Sequence, residues 1–196
     1  IKSVSKHNSF WVYSFCMAVG ATFITTFNLV APFLVQQDLN YSAIVYGRVA
    51  LMVGLMWSLG TMCARVLARY WSGEAAISRA WLLSFVVIVL FFLTSFLRKM
   101  SLFNIAWPVA CLVFLSGIYY PSCIAGVISS FPRHMSGTVS AMLGLVAFSG
   151  AAILSSVSAL FPLHSQMPMM WYFLGLAILV VALLLLKDKS SLELNH

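Results

Sequence analysis

Acidic side chains are nearly missing from this chain: 196 residues hold four Asp and Glu, and charged residues of either sign make up 8%. Asp38, Glu74, Asp188 and Glu193 all fall in segments that read as loops or tail. No carboxylate is therefore placed within the apolar runs, where a group exchanging its proton inside a membrane would have to stand. The four cysteines, Cys16, Cys63, Cys111 and Cys123, lie inside apolar runs and lack paired metal spacing. That argues against a zinc site or a disulfide framework and leaves them as small apolar packing residues. His164, Met167, Met169 and Met170 are donors that suit soft metals, but their spacing closes no copper site. The 11 Lys and Arg, which give a net charge of +7, are scattered along the chain. They form no single basic face of the kind that nucleic acid requires.

What the chain has instead is apolar length. It is 62% hydrophobic, with a mean hydropathy of +1.01, outside the range of soluble domains. A bilayer core takes roughly 20 apolar helical residues to cross, whereas a barrel strand takes about 9–11 alternating ones. Helical runs of crossing length are expected over about 10–35, 43–68, 77–97, 103–130, 136–161 and 169–186. Pro32 with Gln36 to Asn40, Trp71 to Glu74, Arg98-Lys99, Phe131 to His134 and Phe161 to Pro168 punctuate them. The expected architecture is an all-α integral membrane bundle of six transmembrane helices, with segment 1–9 before it, the bundle over 10–186 and a tail over 187–196.

Basic residues near helix ends set orientation, because Lys and Arg are retained on the cytoplasmic side. Lys2, Lys6, Arg65, Arg69, Arg79, Arg133, Lys187 and Lys189 fall on one side, against Arg98 and Lys99 on the other. Both termini are thus expected in the cytoplasm, and no cleavable signal peptide is visible. The chain opens at Ile1 without Met, which points to a trimmed or partial polypeptide.

The helices differ in content. The third and sixth are apolar all round and read as lipid-facing scaffold. The first carries Thr22, Thr25, Thr26 and Asn28; the second Gly47, Gly54, Ser58 and Gly60; the fourth Ser116, Gly117, Tyr119 and Tyr120; the fifth Gly137, Ser140, Gly144 and Gly150. Small residues let helix backbones approach, and polar ones need a partner or water within the membrane. The Thr-Asn series and the tyrosines are open to two readings, packing and cavity lining. The order of two polar helices and one plain, taken twice, is what a 3+3 repeat would leave.

Three segments carry a family resemblance. GIYYPSCIAGVISSFPRHMSGTVSAMLGLVAFSGAAILSS, from Gly117 to Ser156, joins a Gly and a Pro in one helix to an apolar-Pro-basic loop and a small-residue run. NLVAPFLVQQDLNYSAIVYGRVALMVGLMWSLGT, from Asn28 to Thr61, places Pro32-Phe33 before a short loop and Tyr46-Gly47 at the next helix. GTMCARVLARYWSGEAAISR, from Gly60 to Arg79, is similar to a degenerate Gly-x-x-x-Asp-Arg-x-Gly-Arg-Arg loop, with Ala64 where the acid would stand and Gly73-Glu74 in place of a more basic pair. The first resembles the tenth and eleventh helices, the second the seventh and eighth, and the third the loop after the eighth, of major facilitator superfamily transporters of the bicyclomycin-resistance (Bcr/CflA) type.

The resemblance implies the carboxy-terminal six-helix half of a drug:proton antiporter in a bacterial inner membrane, built as a 3+3 inverted repeat. It would work by alternating access without enzymatic chemistry, cofactor or metal. Its partners would be the lipid bilayer, a small-molecule substrate, protons, and an amino-terminal six-helix half on the same or a separate polypeptide that supplies the coupling carboxylate. Thr22, Thr25, Thr26, Asn28, Ser116, Tyr119 and Tyr120 are then expected to line the substrate cavity, and Arg48, Gly60, Arg65, Arg69, Arg133, Gly137 and Gly144 to serve loops and gating. Arg48 reads either as a snorkelling cation or as part of an outer gate, and Arg133 either as a partner of headgroup phosphates and helix-end carbonyls or as a substrate contact. Siderophore or metabolite transport, and a non-transporting membrane scaffold, remain as alternatives.

Overall fold

The computed structural model describes residues 8–97, 101–158, 160 and 166–193. The described residues form six α-helices: α1 Asn8–Phe33, α2 Ala43–Leu67, α3 Gly73–Leu97, α4 Leu102–Ser129, α5 Ser136–Ser158 and α6 Gln166–Glu193. All six contain a stretch long and apolar enough to cross a membrane, as in an integral membrane protein. Lys2, Lys6, Arg98 and Lys99, which enter the count of basic residues on the two sides, and His164 lie outside the described residues.

Helix ends follow local chemistry. Pro32 does not end α1, which runs on to Phe33. Because Pro lacks an N–H, it cannot donate to the Asn28 carbonyl, and the helix widens into a π turn over Leu34–Asp38. That turn closes with the Leu39 N–H on the Leu34 carbonyl at 3.0 Å and with Asn40 in the left-handed region at φ 55°, a conformation that Asn tolerates. The α3 helix opens at Gly73, four residues earlier than expected. There the Ser72 hydroxyl accepts from the Ala75 N–H at 3.3 Å, and Glu74 in the first turn suits the positive end of the helix. Ser101 caps α4 by accepting from the Asn104 N–H at 3.2 Å, a contact that contributes about 1 kcal/mol. The α6 helix continues to Glu193, through the segment expected as a tail.

Packing order differs from chain order. In one layer α2 packs on α4, α4 on α1 and α1 on α5, while α3 and α6 pack on each other behind it, α3 against α4 and α6 against α1. The hydrophobic core is mostly aliphatic and contains an aromatic cluster where α1, α3, α4 and α6 meet. Phe23 meets Phe173 with ring centroids 5.0 Å apart and Trp81 at 6.1 Å, and Trp81 meets Tyr119 at 5.0 Å. In a bilayer, close contact between helix backbones stabilises such a bundle more than expulsion of water does. Two backbones approach closely at Gly60 of α2 and Gly117 of α4, where a Cβ on Gly117 would lie 2.6 Å from the Trp57 carbonyl oxygen and 3.0 Å from the Gly60 Cα.

The third and sixth helices expose most of their surface, as a lipid-facing scaffold would, but each also buries one face. The most exposed helices are α2 and α5, while α1 and α4 are the most buried. Both α3 and α6 place one face in the core through Trp81, Ile88, Phe91, Phe173, Ala177 and Val180. Hydropathy is uniform around these two helices, so it carried no sign of which face the neighbours would cover.

Candidate functional site

The expected cavity residues do not share one open face. Thr22 and Thr26 are fully buried, Thr25 is half-buried and Asn28 is exposed. Three-residue steps turn a helix by about 300° each, so Asn28 sits about 120° round from Thr22 and meets different surroundings. The threonine hydroxyls are satisfied by their own helix: Thr22 donates to the Ala18 carbonyl at 2.8 Å and Thr25 to that of Ala21 at 3.0 Å. Back-bonding of this kind lets a polar side chain sit in an apolar medium without water. The Thr26 hydroxyl has no hydrogen-bond partner among the described residues.

Tyr119 is likewise interior. It is 0% exposed, its hydroxyl lies 3.1 Å from that of Ser116, and it fills the space above Gly20, where any Cβ would overlap the phenol oxygen. Ser116, also 0% exposed, bonds back to the Leu112 carbonyl at 2.8 Å. Thr22, Thr26, Ser116 and Tyr119 are therefore packing residues of the bundle in this arrangement. Tyr120 points the other way, half-buried against Trp57 at a centroid distance of 5.3 Å.

The gating set also divides. Gly60 is buried in the α2–α4 crossing and opens no space. Around Gly137 and Gly144 nothing lies within 4 Å of an added Cβ, so this face of α5 has no helix against it among the described residues. Arg48 is exposed on α2, about 7.5 Å along the axis from Ala43. Arg69 is exposed in the turn after α2.

Arg65 and Arg133 border adjoining clefts. The first lies in the last turn of α2 and the second opens a 3-10 turn, Arg133–Met135, that leads into α5. Each borders a cleft on the open face of α4, of about 480 Å³ for Arg65 and about 810 Å³ for Arg133. The two clefts share Pro121 and Ala125 as their common wall. Ser122, Ile124 and Ile128 of α4 and Ser136 of α5 are among the other lining residues, and no acidic residue borders either cleft among the described residues. Glu74, next to the lining residue Gly73, accepts a hydrogen bond from the Tyr13 hydroxyl at 3.0 Å. Sequence reading missed Ser122, Ala125 and Ser136 as site residues, although Pro121 followed four residues later by Ala125 is a legible small-residue stripe.

No protein-family model and no curated protein matches this chain. The chemistry of these clefts is that of two guanidiniums over a mostly apolar floor, suited to holding a negative charge. Among the described residues no three His, Cys, Asp or Glu side chains gather where a metal ion could be held. A third groove, of about 800 Å³ between α2, α3 and α4, is lined by Met52, Met56, Leu83, Phe103, Trp107 and similar residues and offers only apolar contact.

Proposed function

We propose that this chain is one six-helix half of a secondary transporter of the major facilitator type, resembling the carboxy-terminal half of the Bcr/CflA drug:proton antiporters. The observation that carries the reading is an exchange symmetry in the packing. Replacing α1, α2 and α3 by α4, α5 and α6 turns the α1–α5 pair into the α4–α2 pair and leaves the α1–α4 and α3–α6 pairs in place. Small residues close both exchanged pairs, Gly60 on Gly117 in one and Gly150 against the Ala18 Cβ at 3.0 Å in the other. Inverted repeats of three helices have this relation.

The outward faces support a partner. Gly47 and Gly54 of α2 and Gly137 and Gly144 of α5 all lack a neighbour at Cβ distance among the described residues. Gly47, Gly54, Ser58 and Arg65 recur at steps of seven, four and seven, which places them on one side of α2. A second six-helix body against α2 and α5 would cover these faces and enclose Asn28, Tyr120 and the Pro121–Ala125 strip in a cavity between the halves. Rocking of the two bodies would open that cavity to each side in turn, exporting a small organic molecule from the cytoplasm of a bacterial cell in exchange for protons. Both termini are on the cytoplasmic side in this reading, and the proton-exchanging carboxylate belongs to the second body, because the four acids here lie at helix ends, in loops or in the tail.

The test is labelling of single-Cys variants in intact membranes with a charged, water-soluble thiol reagent. Asn28→Cys and Ala125→Cys should react and be protected by a transported compound, while Leu90→Cys and Leu179→Cys, exposed on α3 and α6, should stay unlabelled in lipid. Equal silence at all four positions would mean that no aqueous cavity exists and would favour a membrane scaffold.

A further inference from the structure

We infer that the paired clefts on either side of Pro121 and Ala125 form a binding site for an amphipathic anion, a molecule with a phosphate or carboxylate head and an apolar tail. The inference rests on the clefts themselves and does not require that the chain transports anything.

Four observations converge. Arg65 and Arg133 come from different elements and flank the same strip of α4. Neither guanidinium makes a hydrogen bond or ion pair with a described residue, and both side chains are exposed. The lining between them contains no carboxylate that would satisfy them, and Glu74 is engaged by Tyr13. Ser136, at the first turn of α5, borders the Arg133 cleft, so the positive end of a 23-residue helix adds to the same field.

The floor selects the rest of the molecule. Ile124, Ile128 and Phe131 are half-buried and run from Pro121 toward Arg133. An alkyl or aromatic tail laid on them would leave its head between the guanidiniums, which bind carboxylate and phosphate oxygens through paired N–H donors. The hydroxyls nearby contribute less, because Thr61 already donates to the Ser58 carbonyl at 2.7 Å and Ser129 to that of Gly126 at 3.1 Å. A cation with the same tail would meet two positive charges and no compensating acid. Selection by sign of charge is thus the signature of the site.

The experiment uses the whole chain in neutral maltoside micelles, with dodecyl phosphate as probe and dodecyltrimethylammonium as its cationic counterpart, followed by tryptophan fluorescence, to which Trp71 on the Arg65 cleft contributes. Dodecyl phosphate should bind saturably and about tenfold or more tighter than the cation, since two charge-assisted contacts separate them. Arg65→Gln with Arg133→Gln should remove that preference, Arg65→Lys with Arg133→Lys should keep most of it, and Arg48→Gln, on the far part of α2, should leave it unchanged.

The source of the anion is separated by two further arms. Retention of phosphatidylglycerol over phosphatidylcholine after release from lipid nanodiscs, lost in the double Gln variant, identifies a lipid headgroup. Competition by inorganic phosphate, without selective lipid retention, identifies a soluble anionic compound. Equal affinity for the two dodecyl probes, or unchanged binding by the double Gln variant, overturns the proposal.

Discussion

Replacing Gly117 with Ala should loosen the bundle, and the structure sets the scale. The new methyl would lie 2.6 Å from the Trp57 carbonyl oxygen and 3.0 Å from both the Gly60 Cα and the Thr61 nitrogen. Carbon atoms pack best at about 3.5–4.0 Å, so α2 and α4 must part by roughly 0.5–1 Å at their crossing. The obstructing atoms are backbone, and no side-chain rotation relieves them. Overpacking of this kind costs about 1–3 kcal/mol, with the upper half expected where the neighbour cannot yield. Gly54→Ala on the same helix is the control: nothing lies within 4 Å of its added Cβ, and the better helix propensity of Ala favours the helix by up to about 1 kcal/mol. Melting of the detergent-solubilised protein, followed with a thiol-reactive dye, reports the loss of packing, because Cys16 and Cys123 are buried. At roughly 2–4 °C per kcal/mol for a chain of this length, Gly117→Ala should melt about 4–12 °C below the parent, and Gly54→Ala at or above it. Equal melting of the two variants would refute the close α2–α4 crossing.

Gly20→Ala should also destabilise, because its methyl overlaps the Tyr119 hydroxyl. Combined with Tyr119→Phe the loss should be less than additive in the same melting assay, since removing the hydroxyl relieves part of the overlap. Thr22→Cys and Tyr119→Cys should resist a water-soluble thiol reagent in folded protein, both parent residues being 0% exposed, whereas Tyr120→Cys should react faster. Reporter fusions at Asp38 and at Arg133 should read on opposite sides of the membrane, because an odd number of helices, α2 to α4, separates them. The same side for both would break the six-helix topology.

Much of the architecture follows from the sequence alone. Long apolar runs with Pro, Gly and charge between them specify helices of membrane-crossing length, because backbone polar groups in lipid must be satisfied within their own segment. The starts of α2 at Ala43 and α5 at Ser136 stand where the sequence places them, and Gly60 and Gly117, which belong to the small-residue content of their helices, are where α2 and α4 approach closely. Helix propensity at the segment ends was less legible: Ser72 capping advanced α3 to Gly73, and α6 extended to Glu193. Tertiary structure decided which faces meet. Thr22 and Asn28 share a helix and a polar character, yet one is enclosed and the other exposed, because burial depends on where α4, α5 and α6 stand around α1. Arg65 and Arg133 are 68 positions apart in sequence and carry no pattern that pairs them. They flank one strip of α4 because Gly60 and Gly117 draw α2 onto α4 and Pro132 turns the chain into α5, a proximity set by helix packing and not by sequence spacing.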